Sequence, residues 1–519
     1  MAIAKIVWVD DEIESLKSQK IFLEQKGYEV IAFTNGFDAV AYIKEHPVDV
    51  VLLDETMPGI SGLETLAQIK EINTQLPAVL ITKNETENLM EEAIGSQIAD
   101  YLIKPVNPNQ VLLSLKKILD NKRLISEKTT TAYQQDFRNL FMALNDNPDH
   151  NEWMEIYKKL VYWELEMEKS NSPEMQEVLQ TQKQEANTEF FKFISKNYSD
   201  WVKPGATDKP VLSPDLLKEK VIPVLENNNP VFFVLIDNLR FDQWKAIQPL
   251  FAEDFRIVEE DTFYSILPTA TQYCRNAIFA GMMPLEIEKK FPDLWKNDEE
   301  EGGKNLYEED FLASFIGRMQ KKNIKFSYTK VVNNQDAQQL VNNIHNLLNN
   351  DLNIIVYNFV DMLSHARTEM EVLKELAGDE IGYRSITRSW FEHSPLKQAL
   401  KKIADKKISL VLATDHGSVQ VHTPYKIIGD KQTTTNLRYK HGRNLNYNPK
   451  EVLAFKNPKE EGLPSPSVNS SFVFAREDGF LCYPNNYNYY VNYYKNTFQH
   501  GGISMEEMII PVIRMESKL

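Results

Sequence analysis

The stretch 408-ISLVLATDHGS-418 closes a run of apolar residues with an adjacent carboxylate and imidazole, Asp415 and His416. Such a run, bounded and without polar alternation, predicts a strand buried on both faces of a parallel sheet. Side chains at the carboxyl end of that kind of strand face the crevice where α/β sheets bind ligands. Gly417 then lets the backbone turn away at close range. Two other stretches have the same form: 231-VFFVLIDN-238 ends at Asp237, and 353-NIIVYNFVD-361 ends at Asp361. Three strand ends of one sheet would therefore offer three carboxylates.

Imidazoles accompany them. His365 follows Asp361 by four residues, one face of a helix if the chain turns helical there. Near the C-terminus, 499-QHGGISMEEMIIPVI-513 supplies His500 beside two glycines. Mixed Asp and His ligands suit zinc, with manganese as the alternative, and the lack of paired cysteines argues against a closed structural zinc. A group able to attack lies in 265-SILPTATQYCRNAIFAG-281, where Thr271 follows a proline turn at the expected start of a helix. The helix N-terminus favours developing negative charge there. Thr269 is the alternative. Each aspartate alone is more commonly a helix cap or turn residue, and capping the helix is the other reading of Thr271; their joint occurrence is what points to metal-assisted chemistry.

The order Asp, Thr, Asp-x-x-x-His, Asp-His, His resembles the alkaline phosphatase superfamily, and the ending HGGISMEEMIIPVI resembles its PglZ branch, over roughly residues 205–519. The resemblance implies two zinc ions: one held by Asp237, Thr271, Asp415 and His416, the other by Asp361, His365 and His500. It also implies that Thr271 is the nucleophile. A threonine in that role is closer to the superfamily's phosphodiesterases than to its serine monoesterases, so a diester of nucleotide or oligonucleotide type is the expected substrate. A phosphomonoesterase and a non-catalytic, zinc-bound docking module are the alternatives.

The N-terminal part repeats the strand-then-acid theme. 3-IAKIVWVDDE-12 ends in Asp10 and Asp11, 48-VDVVLLDETMPGISG-62 carries Asp54, and 77-PAVLIT-82 and 100-DYLIKP-105 end in Thr82 and Lys104. Five strands alternate with five helices, the last helix from about Pro108 to Asn121. This unit, residues 1–122, is similar to the receiver domain of response regulators, a doubly wound, flavodoxin-like fold. The resemblance implies phosphorylation of Asp54 by a histidine kinase and Mg²⁺ held by Asp10, Asp11 and Asp54. It further implies that Lys104 and Thr82 contact the phosphoryl group, that Tyr101 is the aromatic switch, and that Lys104-Pro105 is a cis peptide.

Residues 123–203 have apolar positions at helical spacing, as in 152-EWMEIYKKLVYWELEMEK-169, and predict a helical bundle connecting the receiver to a larger α/β unit at 204–519. The stretch 203-KPGATDKPVLSP-214 is the expected hinge. The Tyr- and Asn-rich 483-YPNNYNYYVNYY-494 is a candidate groove wall, and the basic 438-RYKHGR-443 offers Arg438, Lys440, His441 and Arg443 as candidate contacts to substrate phosphate.

With 519 residues the chain is long enough for about three domains. A net charge of −16 disfavours a nonspecific grip on duplex DNA. Two cysteines, Cys274 and Cys482, build no disulfide framework, and the acidic MAIAKIVWVDDE start is unlike a signal peptide, so a cytoplasmic location is expected. The whole combination resembles PorX-like response regulators. That likeness implies a PorY-like sensor histidine kinase, the cytoplasmic part of the type IX secretion machinery and a sigma factor as partners, and a homodimer on phosphorylation.

Overall fold

Five short parallel strands, β1 (Lys5–Val9), β2 (Glu29–Phe33), β3 (Val50–Asp54), β4 (Ala78–Thr82) and β5 (Asp100–Ile103), form the first sheet in the order β2-β1-β3-β4-β5. Strands β3 and β4 are buried along their whole length, as continuous apolar runs require. Two clusters cover the faces, one around Trp8, Leu52 and Val111 and the other around Val7, Leu53 and Leu66. The computed structural model describes residues 4–518 apart from 75, 84–97, 171–172, 228, 299, 320–323, 364–377, 431–433, 466 and 468. The segment between β4 and β5 that should hold the fourth receiver helix thus lies largely outside the described residues.

The chain divides into two compact units, Met1–Gln134 and Gln135–Leu519. The helix expected to stop near Asn121 runs from Pro108 to Asn145. No glycine or proline interrupts it before Pro148, so nothing in the sequence ends it earlier.

In the second unit the helices His150–Ser170 and Pro173–Trp201 pack on the α/β part. Trp153 meets Phe190 edge-on at 5.3 Å, Trp201 meets Tyr264 at 5.3 Å, and the Tyr264 hydroxyl donates to the His150 carbonyl at 2.9 Å. The stretch expected as a hinge, 203–214, is built into this unit. Tyr264 donates its amide to the Val211 carbonyl at 2.9 Å, and Lys209 pairs with Asp215 at 2.6 Å.

The main sheet of this unit comprises β6 (Val231–Ile236), β7 (Phe255–Tyr264), β8 (Phe326–Val331), β9 (Leu352–Tyr357), β10 (Ser409–Ala413) and the C-terminal β18 (Ile509–Ser517), in the order β7-β18-β10-β6-β9-β8. Strands β10, β6, β9 and β8 run parallel, while β18 is antiparallel to β10 and β7. Every residue of β6, β9 and β10 is buried. The carboxyl ends of these three adjacent strands consequently open at one edge, the site expected from their sequences.

Between β10 and β18 the chain adds smaller sheets. Strand β11 (Val419–Gln420) pairs with β17 (Phe498–Gln499), and β12 (Thr423–Lys426) with β16 (Gly479–Cys482). Strands β13 (Tyr439–Arg443), β14 (Val452–Phe455) and β15 (Ser470–Ala475) form a three-stranded sheet with β15 in the middle. Among the described residues no helix is long and apolar enough to cross a membrane.

Candidate functional site

Asp237 follows β6 directly, and Asp415 and His416 lie just beyond β10. One ligand atom of each falls within 4.8 Å of the others. All three are buried. The turn that presents them is tight: a Cβ on Gly417 would come within 2.0 Å of the Glu506 carbonyl oxygen, so only glycine fits.

Thr271 is the first residue of the helix Thr271–Ala280. Its hydroxyl lies 3.0 Å from His416 Nε2 and 3.3 Å from Asp237 Oδ1. His416 Nδ1 is 3.1 Å from the Gly417 carbonyl. A carbonyl only accepts, so Nδ1 carries the proton and the Nε2 lone pair faces Thr271.

A second group adjoins the first. Asp361 stands beyond β9, with His500 Nε2 at 3.6 Å from its Oδ1, and His500 Nδ1 donates to the Thr269 carbonyl at 3.1 Å. The His416 and His500 rings stack at 4.3 Å. Both imidazoles therefore present Nε2 inward while a backbone carbonyl fixes the tautomer, the orientation a metal-ligating histidine takes. His365, expected beside them, lies outside the described residues.

Electrostatics fit a divalent cation. Burial, reinforced by Asp415, pushes the Asp237 carboxyl well above the usual carboxylate range, and burial raises Asp415 too, with Arg275 opposing. Among the described residues, Asp415 Oδ2 is buried with no hydrogen-bond partner. Such a set of carboxylates is costly without a counter-charge. Part of that charge is Arg275, which sequence reasoning missed. It is buried, donates to Asp237 Oδ2 at 2.8 Å and to Glu308 Oε1 at 2.5 Å, and approaches Asp415 Oδ2 at 4.0 Å. Its position four residues after Thr271, on the same helix face, was the available signal.

Thr269, the alternative nucleophile, is engaged with backbone: its hydroxyl donates to the Gly502 carbonyl at 2.9 Å and accepts the Gly501 amide at 3.0 Å. The residues of the basic hexamer do not converge. Arg438 is buried against Glu507, with Nη2 2.6 Å from Oε2. Along β13, Tyr439 and His441 point one way and Lys440 the other, as the period of a strand demands. His441 stacks on Phe472 at 4.2 Å, and burial lowers its pKa to about 4, so it is neutral at physiological pH. Arg443 is exposed at the strand end.

A further buried charge network lies behind the turn at Gly417. Arg240 pairs with Asp242 at 2.5 Å and with Glu380, and its Nη1 donates to the Ser418 carbonyl at 3.4 Å. Arg384 joins Asp242 at 3.0 Å to Glu164 at 2.5 Å and Glu168 at 3.0 Å, while Lys183 pairs with Glu164 at 2.6 Å. The clustered carboxylates Glu164, Asp242 and Glu380 are thus matched by three cations, whereas Asp237 and Asp415 share Arg275 with Glu308.

In the receiver unit, Asp10, Asp11 and Asp54 bring carboxylate oxygens within 4.8 Å of one another. Lys104 bridges Asp10 Oδ2 at 2.8 Å and Asp54 Oδ1 at 3.0 Å. Burial pushes the Asp54 carboxyl up, opposed by the hydrogen bond from Lys104. Thr82 is buried at the end of β4, Tyr101 is 37% exposed, and Lys104-Pro105 is cis, as is Leu267-Pro268.

Comparison with known proteins accounts for each part. Residues 6–116 match the response regulator receiver domain, residues 123–202 the PorX response regulator linker domain, and residues 216–515 the BREX system PglZ alkaline phosphatase-like domain. The phosphoglycerate transport system transcriptional regulatory protein PgtA of Salmonella typhimurium is 32% identical over 120 residues, 23% of this chain and 29% of that one. The transcriptional regulatory protein ZraR of Klebsiella oxytoca is 34% identical over 132 residues, 25% of this chain and 30% of that one. This chain thus spans about a third of the length of these relatives. A CheY-like receiver domain protein from Methanospirillum hungatei JF-1 is 27% identical, covering 23% of this chain and 96% of its own, with a TM-score of 0.23. With more than half its length matched, the chain belongs to the PglZ alkaline phosphatase-like family, and it carries that domain behind a response regulator receiver and a PorX-type linker.

Proposed function

We propose that the receiver, phosphorylated on Asp54, controls a two-zinc phosphodiesterase formed by the PglZ domain, acting on nucleotide or oligonucleotide phosphodiesters. The observation that carries this reading is the Thr271 hydroxyl, set at a helix N-terminus 3.0 Å from His416 Nε2 and 3.3 Å from Asp237 Oδ1. A docking platform has no need of a hydroxyl there.

Asp237, Asp415 and His416 would hold one ion beside Thr271, and Asp361 and His500, with His365, the other. Bound there, the ions would balance the clustered carboxylates and favour negative charge developing on the phosphoryl oxygens. The chain's own residues do the rest. Thr271 gives up its hydroxyl proton to solvent as Oγ1 attacks phosphorus in line, and the ester oxygen departs as the new bond forms, taking a proton from water to leave as an alcohol. The amides of the first helical turn favour the negative charge that develops on the attacking side. Arg275 keeps Asp237 in place throughout. Water then cleaves the phosphothreonyl ester and restores the hydroxyl, with inversion at each step.

In the receiver, the three acids suit Mg²⁺, and Lys104 is placed to pair with the phosphoryl group once Asp54 carries it. Thr82 and Tyr101 relay the change. A cognate sensor histidine kinase of PorY type supplies the phosphoryl group, and phosphorylation promotes a homodimer. The PorX-type linker supports a role in type IX secretion.

The test is hydrolysis of bis(4-nitrophenyl) phosphate and 4-nitrophenyl phosphate by metal-replete protein and by Thr271→Ala, with metal content measured on both. Preferential diester cleavage by the wild type, lost in a variant that keeps its metal, is the expected result. Bound metal without cleavage of either ester would make the domain a docking module, and preference for the monoester would make it a phosphomonoesterase.

A further inference from the structure

Strand β13 separates two environments. On one face, Tyr439 packs against Tyr273, two residues beyond Thr271 in the same helix, with ring centroids 6.0 Å apart. On the other face Lys440 enters a separate pocket of about 570 Å³, lined among others by Leu437, Cys482, Tyr483, Tyr490 and Tyr494. The volume lies within the range of about 300–1,000 Å³ usual for small-molecule sites.

Lys440 is the unusual feature. It is 1% exposed, its Nζ donates to the Thr434 carbonyl at 3.1 Å, and it sits 4.6 Å from the centre of the Tyr483 ring. Among the described residues no carboxylate lies within ion-pair distance of it. Asp430, also in the pocket wall, accepts a hydrogen bond from Asn444 at 3.2 Å. Elsewhere in this unit the buried cations Arg240, Arg275, Arg384 and Arg438 each have a carboxylate. A buried ammonium without one costs several kcal/mol. Burial accordingly lowers the Lys440 pKa to about 7, so a partner anion would restore its charge.

The pocket also supplies a surface for a planar group. Tyr490 and Tyr494, one helical turn apart, lie nearly parallel at 14° with centroids 6.2 Å apart, side by side, and Tyr490 is 41% exposed. Aromatic side chains in such a row stack nucleobases without selecting among them.

We propose that this pocket binds a nucleoside monophosphate, its phosphate against Lys440 Nζ and its base against Tyr490 and Tyr494. The site is distinct from the metal centre and does not depend on turnover there.

The experiment uses the full chain with the metal centre disabled by Asp415→Asn and His416→Ala and dialysed against chelator, titrated calorimetrically with adenosine 5′-monophosphate. One-to-one binding is expected. Lys440→Met, which removes the charge at nearly constant shape, should weaken it about tenfold or more. Tyr490→Ala, at an exposed position that leaves the fold intact, should weaken it about fivefold or more. Adenosine alone and inorganic phosphate alone should each bind at least about tenfold less tightly than the nucleotide. No binding to the disabled protein, or undiminished binding by Lys440→Met and Tyr490→Ala, would overturn the proposal. Inorganic phosphate binding as tightly as the nucleotide would overturn the aromatic half of it and leave an anion site only.

Discussion

Replacing Arg275 with methionine probes how the site holds its carboxylates. The guanidinium is 2% exposed and, among the described residues, makes three hydrogen bonds: to Asp237 at 2.8 Å, Glu308 at 2.5 Å and Asn358 at 3.1 Å. Methionine fills similar space and removes all of them. Glu308, itself buried, would keep Lys330 at 2.8 Å and the Tyr328 hydroxyl. Among the described residues, Asp237 would keep only the Thr271 hydroxyl at 3.3 Å. Removing one partner of a buried ion pair costs about 3–5 kcal/mol, and two charge-assisted hydrogen bonds at roughly 1.5–3 kcal/mol each give an overlapping range of about 3–6 kcal/mol. The assay is urea unfolding of the metal-free full chain by tryptophan fluorescence, since six of the seven tryptophans lie in the second unit. Supplying zinc should shrink the loss, because Asp237 regains a counter-charge while Glu308 does not. Adding Glu308→Gln should cost less than the sum of the single changes by about 1 kcal/mol or more. A loss under about 1 kcal/mol, or strict additivity, would refute the reasoning.

Three further outcomes follow from the same geometry. Asp415→Asn removes a carboxylate that burial disfavours, so the metal-free variant should be as stable as the wild type or more so, by up to about 1 kcal/mol, while retaining less zinc; thermal scans with metal analysis check both signs. Glu164 is held well below its ordinary value of 4.5: burial, which would raise it, is outweighed by Lys183 and Arg384. The unfolded chain then binds the extra proton, so this stabilisation is complete above about pH 4.5 and fades as the pH falls, and Glu164→Gln should flatten the acid limb of a stability–pH curve. Asp54→Asn should abolish labelling by acetyl phosphate, and beryllofluoride should raise the sedimentation coefficient of the wild type but not of the variant; equal sedimentation would count against dimerisation.

Much of the site was legible because strands announce their ends. The runs before Asp237, Asp361 and Asp415 are apolar without alternation, and the sheet places their carboxyl ends side by side. Thr271 was legible from the proline turn before its helix. Arg275 was missed although local spacing pointed to it. Arg240 and Arg384 were not legible, since Arg384 meets Asp242 and Glu164 from 142 and 220 residues away in sequence. The basic hexamer misled for a simpler reason. Counted as a cluster, 438-RYKHGR-443 suggests one phosphate grip; counted at the period of a strand, it divides Lys440 from Tyr439 and His441. The receiver's final helix ran past its expected end because helical periodicity alone contains no stop signal.

The stereochemical course of hydrolysis tests the central claim, attack by Thr271 on phosphorus, most directly. The substrate is a chiral 4-nitrophenyl phosphorothioate diester of thymidine, cleaved in ¹⁸O-labelled water, with the configuration of the product determined by phosphorus NMR. Two in-line displacements through a threonyl ester predict net retention. Net inversion would mean that water attacks in a single step and that Thr271 is not the nucleophile.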